Sequence, residues 1–288
     1  MATSTKSSLE PLMDRPPQSG PFGRDGRSRR RGALIINADD WGLDRETTDR
    51  IQECAAQRVI SSASGMVFMA DSERAATLAR EQSIDIGLHL NLTQAFSGQN
   101  VSAQLREHHG RVANFLLRHR LAQVLYHPGL AVSFKYVVSA QLEEFHRIYG
   151  EAPRRIDGHH HMHLCANVLF AKLLPAGTIA RRNFSFQPGE KGGVNRSYRK
   201  FIDSLLVRRH RTTDFFYSLA PLKPAERLQR VFTAAHSLTV ELETHPVNRE
   251  EYDYLTNSEM RRDLGELTAA SHFVVSETNC TARIDSHE

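Results

Sequence analysis

The sequence predicts an α/β fold in which repeated β/α units curl into a distorted barrel. Three observations carry that prediction. From residue 33 onward, short apolar runs alternate with amphipathic stretches, as buried parallel strands separated by surface helices require. Seven or eight such strands fit the available length, which favours a barrel over an open sheet. Residues able to bind metal or move protons recur just past four of the predicted strands, and in a barrel those strand ends meet on one face.

Taken in order, the apolar run at 33–36 reads as a buried first strand, followed by a helix over 46–57 that Asp44 can cap. Residues 64–67 form a second strand, 72–81 a helix and 84–90 a third strand. Residues 94–135 are His-rich and read as a partly helical insertion over the C-terminal face of the strands. A helix over 141–149 stops at Gly150, and 155–159 is strand-like. Further helices are predicted over 167–174, 197–210, 224–236 and 258–269, with strands at 178–182, 214–218, 238–243 and finally 273–275.

The 288-residue chain has 37 Lys and Arg against 33 Asp and Glu, but this +4 is local. Residues 1–32 contain seven of the bases and only three of the acids, so the remainder is neutral. That Pro-, Gly-, Ser- and Arg-rich segment buries too little apolar surface to offset its ordering entropy and is expected to be a disordered tail. A nucleic-acid partner is not expected. Arg29, Arg30 and Arg31 precede an apolar run, yet the run ends at Asn37, short of the roughly 7–15 residues of a secretion signal. No stretch approaches the ~18–20 apolar residues of a membrane span. Cys54, Cys165 and Cys280 lie too far apart for a disulfide framework or a paired-cysteine zinc site. These features predict a cytoplasmic protein with one domain over 33–276 and a short C-terminal tail over 277–288.

Four motifs carry chemistry. Asn37-Ala38-Asp39-Asp40-Trp41-Gly42 sets two carboxylates at a strand end, where they repel unless a cation or proton intervenes. Consecutive side chains leave a strand in opposite directions, so one can hold a metal while the other reaches its water. An acidic turn capping the next helix would read the same way. In Gly87-Leu88-His89-Leu90-Asn91, His89 shares a face with Gly87 and Asn91, which also suits a hydrogen-bonded core histidine. Asp157-Gly158-His159-His160-His161-Met162-His163 is more specific: in an extended segment, residues 157, 159, 161 and 163 line one face. Glu241-Leu242-Glu243-Thr244-His245-Pro246 ends a strand in a histidine, and the proline stops the pairing. Together they supply an oxygen ligand and imidazoles, with a carboxylate and a histidine to spare. That set suits three protein ligands, one open coordination position, and a separate base and acid.

The series NADDWGL (37–43), GLHLNLT (87–93), DGHHHMHL (157–164) and ETHP (243–246) resembles the YdjC family of carbohydrate deacetylases over roughly residues 33–276. The resemblance implies a distorted TIM-like barrel, a divalent ion (magnesium or zinc), and removal of acetyl groups from N-acetylated carbohydrates with release of acetate. Chitooligosaccharides, amino sugars and glycolipids are the substrates it brings into view. It implies Asp40, His89 and His159 as metal ligands, Asp39 as general base and His245 as general acid. Asp157, His161, His163, Asn91 and Trp41 are expected around them as supporting or substrate-contacting residues, with Trp41 in the pocket wall. A homodimer is implied as well. Two readings compete: a phosphoesterase-type metal-dependent barrel hydrolase, and a carbohydrate-binding relative without turnover. The first is expected to carry a His-x-His pair where this chain has Asp39-Asp40, and the second to lack a positioned base.

Overall fold

The computed structural model describes Met1 and residues 32–119, 121–186 and 192–275. The tails expected over 1–32 and 277–288 lie almost wholly outside the described residues. Among the described residues seven strands, all parallel, form one sheet: β1 (Ala33–Trp41), β2 (Ser62–Gly65), β3 (Ile86–Leu90), β4 (Arg155–Gly158), β5 (Ile179–Ala180), β6 (Phe215–Ser218) and β7 (Thr239–Thr244). Their order, β5-β4-β3-β2-β1-β7-β6, is the circular sequence of a barrel with its opening between β5 and β6. Across that opening Ala180 N–H donates to Arg211 O at 2.9 Å and Ser185 N–H to Phe216 O at 2.8 Å. The sheet is therefore a curled, distorted TIM-like barrel, as the sequence predicts.

Alternation along the strands decides what faces inward. Leu34, Ile36 and Ala38 of β1 and Val240 and Leu242 of β7 enter one outer core with Ile51, Leu228, Val231 and Phe232. Leu88, Leu90 and Ile156 enter a second with Phe134, Val137 and Phe145. The intervening residues, Asn37, Asp39, His89, Arg155, Asp157, Glu241 and Glu243, are buried and polar. Period-two strands thus give a barrel with apolar outer faces and an ionised interior.

The helices are α1 (Arg45–Ala56), α2 (Ser72–Gln82), α3 (Ala103–Arg118), α4 (Ala131–Tyr149), α5 (Ala166–Phe170), α6 (Gly193–Leu206), α7 (Ala225–Ala235), α8 (Arg249–Thr256) and α9 (Ser258–Leu264). Asp44 caps α1 as expected, accepting from Thr47 N–H at 2.8 Å. The expected insertion is α3, two 3₁₀ turns and the front of α4. It packs on Met66, Met69, Leu92 and Phe96, just beyond the ends of β2 and β3.

Several expectations need correction. The helix expected from 141 begins at Ala131, because Phe134, Val137, Val138, Gln141 and Phe145 continue its buried face. The helix expected over 258–269 stops at Leu264, where Gly265 takes φ 57°, and α8 precedes it. Residues 273–275 form no strand. The free edge of β1 before Asn37 accommodates one bridge, Leu34 with Ala269, and from Asn37 onward β2 occupies it.

Candidate active site

β1 ends in an irregularity. Its register with β2 shifts between Ala38 and Trp41, and Asp40 adopts φ 70°. The sequence predicts that the two aspartates diverge. The bulge instead turns both toward β3, and both carboxylates approach the same imidazole: Asp39 Oδ2 lies 3.9 Å from His89 Nδ1 and Asp40 Oδ1 3.3 Å from His89 Nε2. A left-handed non-glycine residue costs of order 1–3 kcal/mol, and such strain gathers at functional sites.

The second departure is in the histidine run. β4 stops at Gly158, and residues 159–164 form a 3₁₀ turn with His160 and His161 at φ 53° and 57°. The expected extended face of 157, 159, 161 and 163 is not formed, and the four side chains are distributed separately. His159 Nδ1 reaches Asp40 Oδ1 at 2.9 Å. His161 packs against Phe184 and Phe216 with Nε2 3.7 Å from Glu243 Oε2. His163, wholly buried, donates from Nε2 to the Arg181 carbonyl at 2.9 Å. His160 stacks on His159 and meets Thr93 Oγ1 at 3.1 Å.

Asp40, His89 and His159 offer one carboxylate oxygen and two ring nitrogens, all within 4.8 Å of one another. Asp157 lies 2.7 Å from His89 Nδ1. With Nδ1–H donating to Asp157, Nε2 is the nitrogen that faces Asp40, the arrangement in which a carboxylate orients a metal-binding imidazole. Burial opposes ionisation of Asp40, yet its hydrogen bonds to His159 and His89 hold its carboxyl well below the usual range. Burial likewise opposes protonation of His89, but Asp39, Asp157 and Asp40 raise its pKa well above the ordinary value.

The barrel interior around these ligands is crowded with carboxyl groups. Asp39, Asp40, Asp157, Glu241 and Glu243 share the barrel mouth and interior with two guanidiniums, Arg155 and Arg181. Burial pushes the Glu243 carboxyl well up, and Asp39 adds to the rise. Glu243 Oε2 and Glu241 Oε2 have no hydrogen-bond partner. An oxygen-and-two-nitrogen donor set and an imidazole locked by a carboxylate, beside carboxylate oxygens without a partner, fit a divalent ion.

Arg181, which motif reading missed, organises the remainder. Its Nη1 and Nη2 donate to Asp39 Oδ2 and Oδ1 at 2.6 and 2.7 Å, and its Nε donates to Glu241 Oε1 at 2.7 Å. Asn37 Nδ2 adds a bond to Asp39 Oδ1 at 2.8 Å. An ionised carboxylate has about four lone-pair positions. Three are filled, and the open one is on Oδ2, the oxygen nearer His89. The signal for Arg181 was its place at the end of a strand among other strand-end site residues. Nothing local in Ala180-Arg181-Arg182 announces it.

Glu243 was part of a quoted motif but had no role. It lies between His161 and His245, whose Nε2 is 3.6 Å from Glu243 Oε1. His245 is about a third exposed, at 34% of its side chain, so it can meet a ligand. Trp41 and Asn91 fall elsewhere. The bulge at Asp40 directs Trp41 into the outer core, fully buried, rather than into a pocket wall. Asn91, also buried, spends its amide on the loop, accepting from Thr93 and Gln94 N–H and donating to Gln94 O. Gly87 makes room for Arg155: a Cβ there would sit 2.7 Å from Arg155 Cζ.

The sequence model of a family described as YdjC-like protein matches residues 33–266. A carbohydrate deacetylase of Mus musculus is 28% identical over 246 residues, covering 74% of this chain and 77% of that protein. Its Homo sapiens counterpart is 29% identical over 253 residues, covering 76% of each. A chitooligosaccharide deacetylase of Serratia marcescens is 32% identical over 134 residues, 46% of this chain and 50% of that protein. Among solved structures, one from Enterococcus faecalis V583, described with the words cellobiose-phosphate cleavage protein, superposes with a TM-score of 0.58 at 19% identity. It covers 84% of this chain and 98% of that one, which speaks for the shared fold. With the family's pattern matched from the first strand to the last helix, the chain belongs to the YdjC-like family.

Proposed function

We propose that this protein is a metal-dependent carbohydrate deacetylase, removing acetyl groups from N-acetylated sugars to give acetate and a free amine. The observation that carries the reading is the pairing of a three-ligand set, Asp40, His89 and His159, with a separately anchored carboxylate, Asp39. The names of the relatives, carbohydrate deacetylase and chitooligosaccharide deacetylase, support a sugar-borne acetamide as the substrate. A magnesium or zinc ion held by the three ligands supplies Lewis acidity, polarising the acetyl carbonyl and acidifying water.

The chain's own residues do the rest. Asp39, fixed by Arg181 and Asn37, accepts the proton of the attacking water at the open position of Oδ2. Asp157 holds His89 in one orientation. As the tetrahedral centre collapses, the C–N bond breaks and His245 delivers a proton to the departing sugar nitrogen. Glu243 and His161 flank His245 from the buried side. Acetate release from N,N′-diacetylchitobiose by wild type and Asp39→Asn tests this. The variant should lose at least ~100-fold in kcat. Near-wild-type turnover by the variant removes Asp39 as base, and phosphate-ester hydrolysis without acetate release overturns the deacetylase reading.

A further inference from the structure

Among the described residues, six of the ten exposed large apolar side chains fall in one region. Leu117, Leu121, Leu125, Tyr126 and Val132 stand between 46% and 74% exposed along one stretch, from the end of α3 to the start of α4. Phe170 of α5, 52% exposed, belongs to the same region. His127 N–H donates to Asn167 Oδ1 at 2.9 Å and Asn167 Nδ2 donates to His127 O at 3.0 Å, tying the connection to α5. Val132 and Lys135 line one cleft with Lys172 and Leu173. Isolated exposed leucines are ordinary, but a continuous group signals an interaction surface.

Charge identifies the occupant. From His108 to Leu142 the sequence has no acidic residue, while Arg118 and Lys135 stand exposed on this stretch and Arg111 is paired back to Glu107. Arg118, Lys135 and Lys172 have no acidic partner among the described residues. Exposed leucines interspersed with unpaired cations match an interfacial membrane surface, where apolar side chains enter the acyl boundary and cations meet anionic head groups. A second copy is disfavoured, because a two-fold interface brings the same patch face to face and sets cation against cation. Among the described residues no helix is long and apolar enough to cross a membrane, and the contact proposed is with the bilayer surface.

We infer that the 117–135 face docks this protein on bilayers containing anionic phospholipid. α5, tied to this face, follows directly on the turn bearing His159 and His161, so docking sets the barrel mouth beside the lipid surface. The inference does not rest on the chemistry proposed for the site.

Full-length protein is sedimented with phosphatidylcholine vesicles, with and without phosphatidylglycerol, at low salt and at about 0.5 M salt, where the Debye length is only a few ångströms. Wild type should bind the anionic vesicles and retain part of that binding in high salt. Tyr126→Trp should shift its emission to the blue on binding, against a background from Trp41, which is fully buried. Leu121→Glu with Leu125→Glu should weaken partitioning at least about tenfold, since two acyl contacts become charges. Its melting temperature and its action on soluble substrate should not change. Equal binding by wild type and the double variant would assign the attachment to the basic segment before residue 32 and overturn the inference. So would absence of binding, or self-association that the double variant abolishes without any vesicle binding.

Discussion

Replacing Arg181 with lysine keeps a positive charge in the barrel and removes the planar fork that holds Asp39. The guanidinium makes three short donations, two to Asp39 and one to Glu241, and passes 3.2 Å from Asp157 Oδ2. Lysine's shorter reach as a point charge cannot reproduce the paired geometry. Losing two charge-assisted bonds at about 1.5–3 kcal/mol each, with partial recovery through the ammonium, costs about 2–5 kcal/mol of stability. At about 2 °C per kcal/mol for a domain of this size, that lowers Tm by about 4–10 °C. Asp39 would then keep only its bond from Asn37, and a displacement near 1 Å at a reacting group costs ~100-fold in rate. Acetate release from diacetylchitobiose, measured below the variant's Tm, should show that loss in kcat with KM little changed. A folded Lys variant with kcat within about threefold of wild type would refute the idea that the fork aims the base.

Two further outcomes follow from the geometry. If His245 protonates the leaving nitrogen, His245→Ala should slow amide hydrolysis ~100-fold or more, yet spare 4-nitrophenyl acetate, whose leaving group needs no proton; equal losses on both would assign His245 to something other than proton delivery. His109, 4% exposed against Phe96, is pushed down to about 4 by burial, below the ~6.5 of an unfolded histidine. Between those values the unfolded chain binds a proton that the folded chain refuses, so stability is full above ~6.5 and falls as pH drops toward 4. His163, also buried and pushed down to about 4, acts in the same direction. His109→Phe should therefore remove about 2 kcal/mol of the stability lost between about pH 7.5 and 5, read from denaturant midpoints. An unchanged pH dependence in that variant would contradict the assignment.

Much of this site was legible because strand alternation and motif order are local properties. His89, Asp157 and Asp39 stand where period-two reasoning puts them, and strand ends of a parallel barrel converge whatever their separation along the chain. What sequence reasoning missed depends on backbone geometry it could not supply. The left-handed turn at Asp40 redirected Trp41 into the core and brought both aspartates to one imidazole. Left-handed residues 160 and 161 broke the expected histidine face and gave each ring a separate partner. Arg181 escaped notice because its importance lies in partners 60 and 142 residues away, Glu241 and Asp39, not in its neighbours. The front of α4 was obscured by its Val- and aromatic-rich composition, and only packing against β3 and α3 shows it to be helical.

The proposed chemistry depends on a divalent ion held by Asp40, His89 and His159. The most direct measurement is acetate release from diacetylchitobiose by chelator-stripped protein, before and during titration with zinc or magnesium. Stripped protein should be inactive, recovery should saturate near one ion per chain, and Asp40→Asn should not recover. Full activity in the stripped protein, or equal recovery in Asp40→Asn, would contradict it.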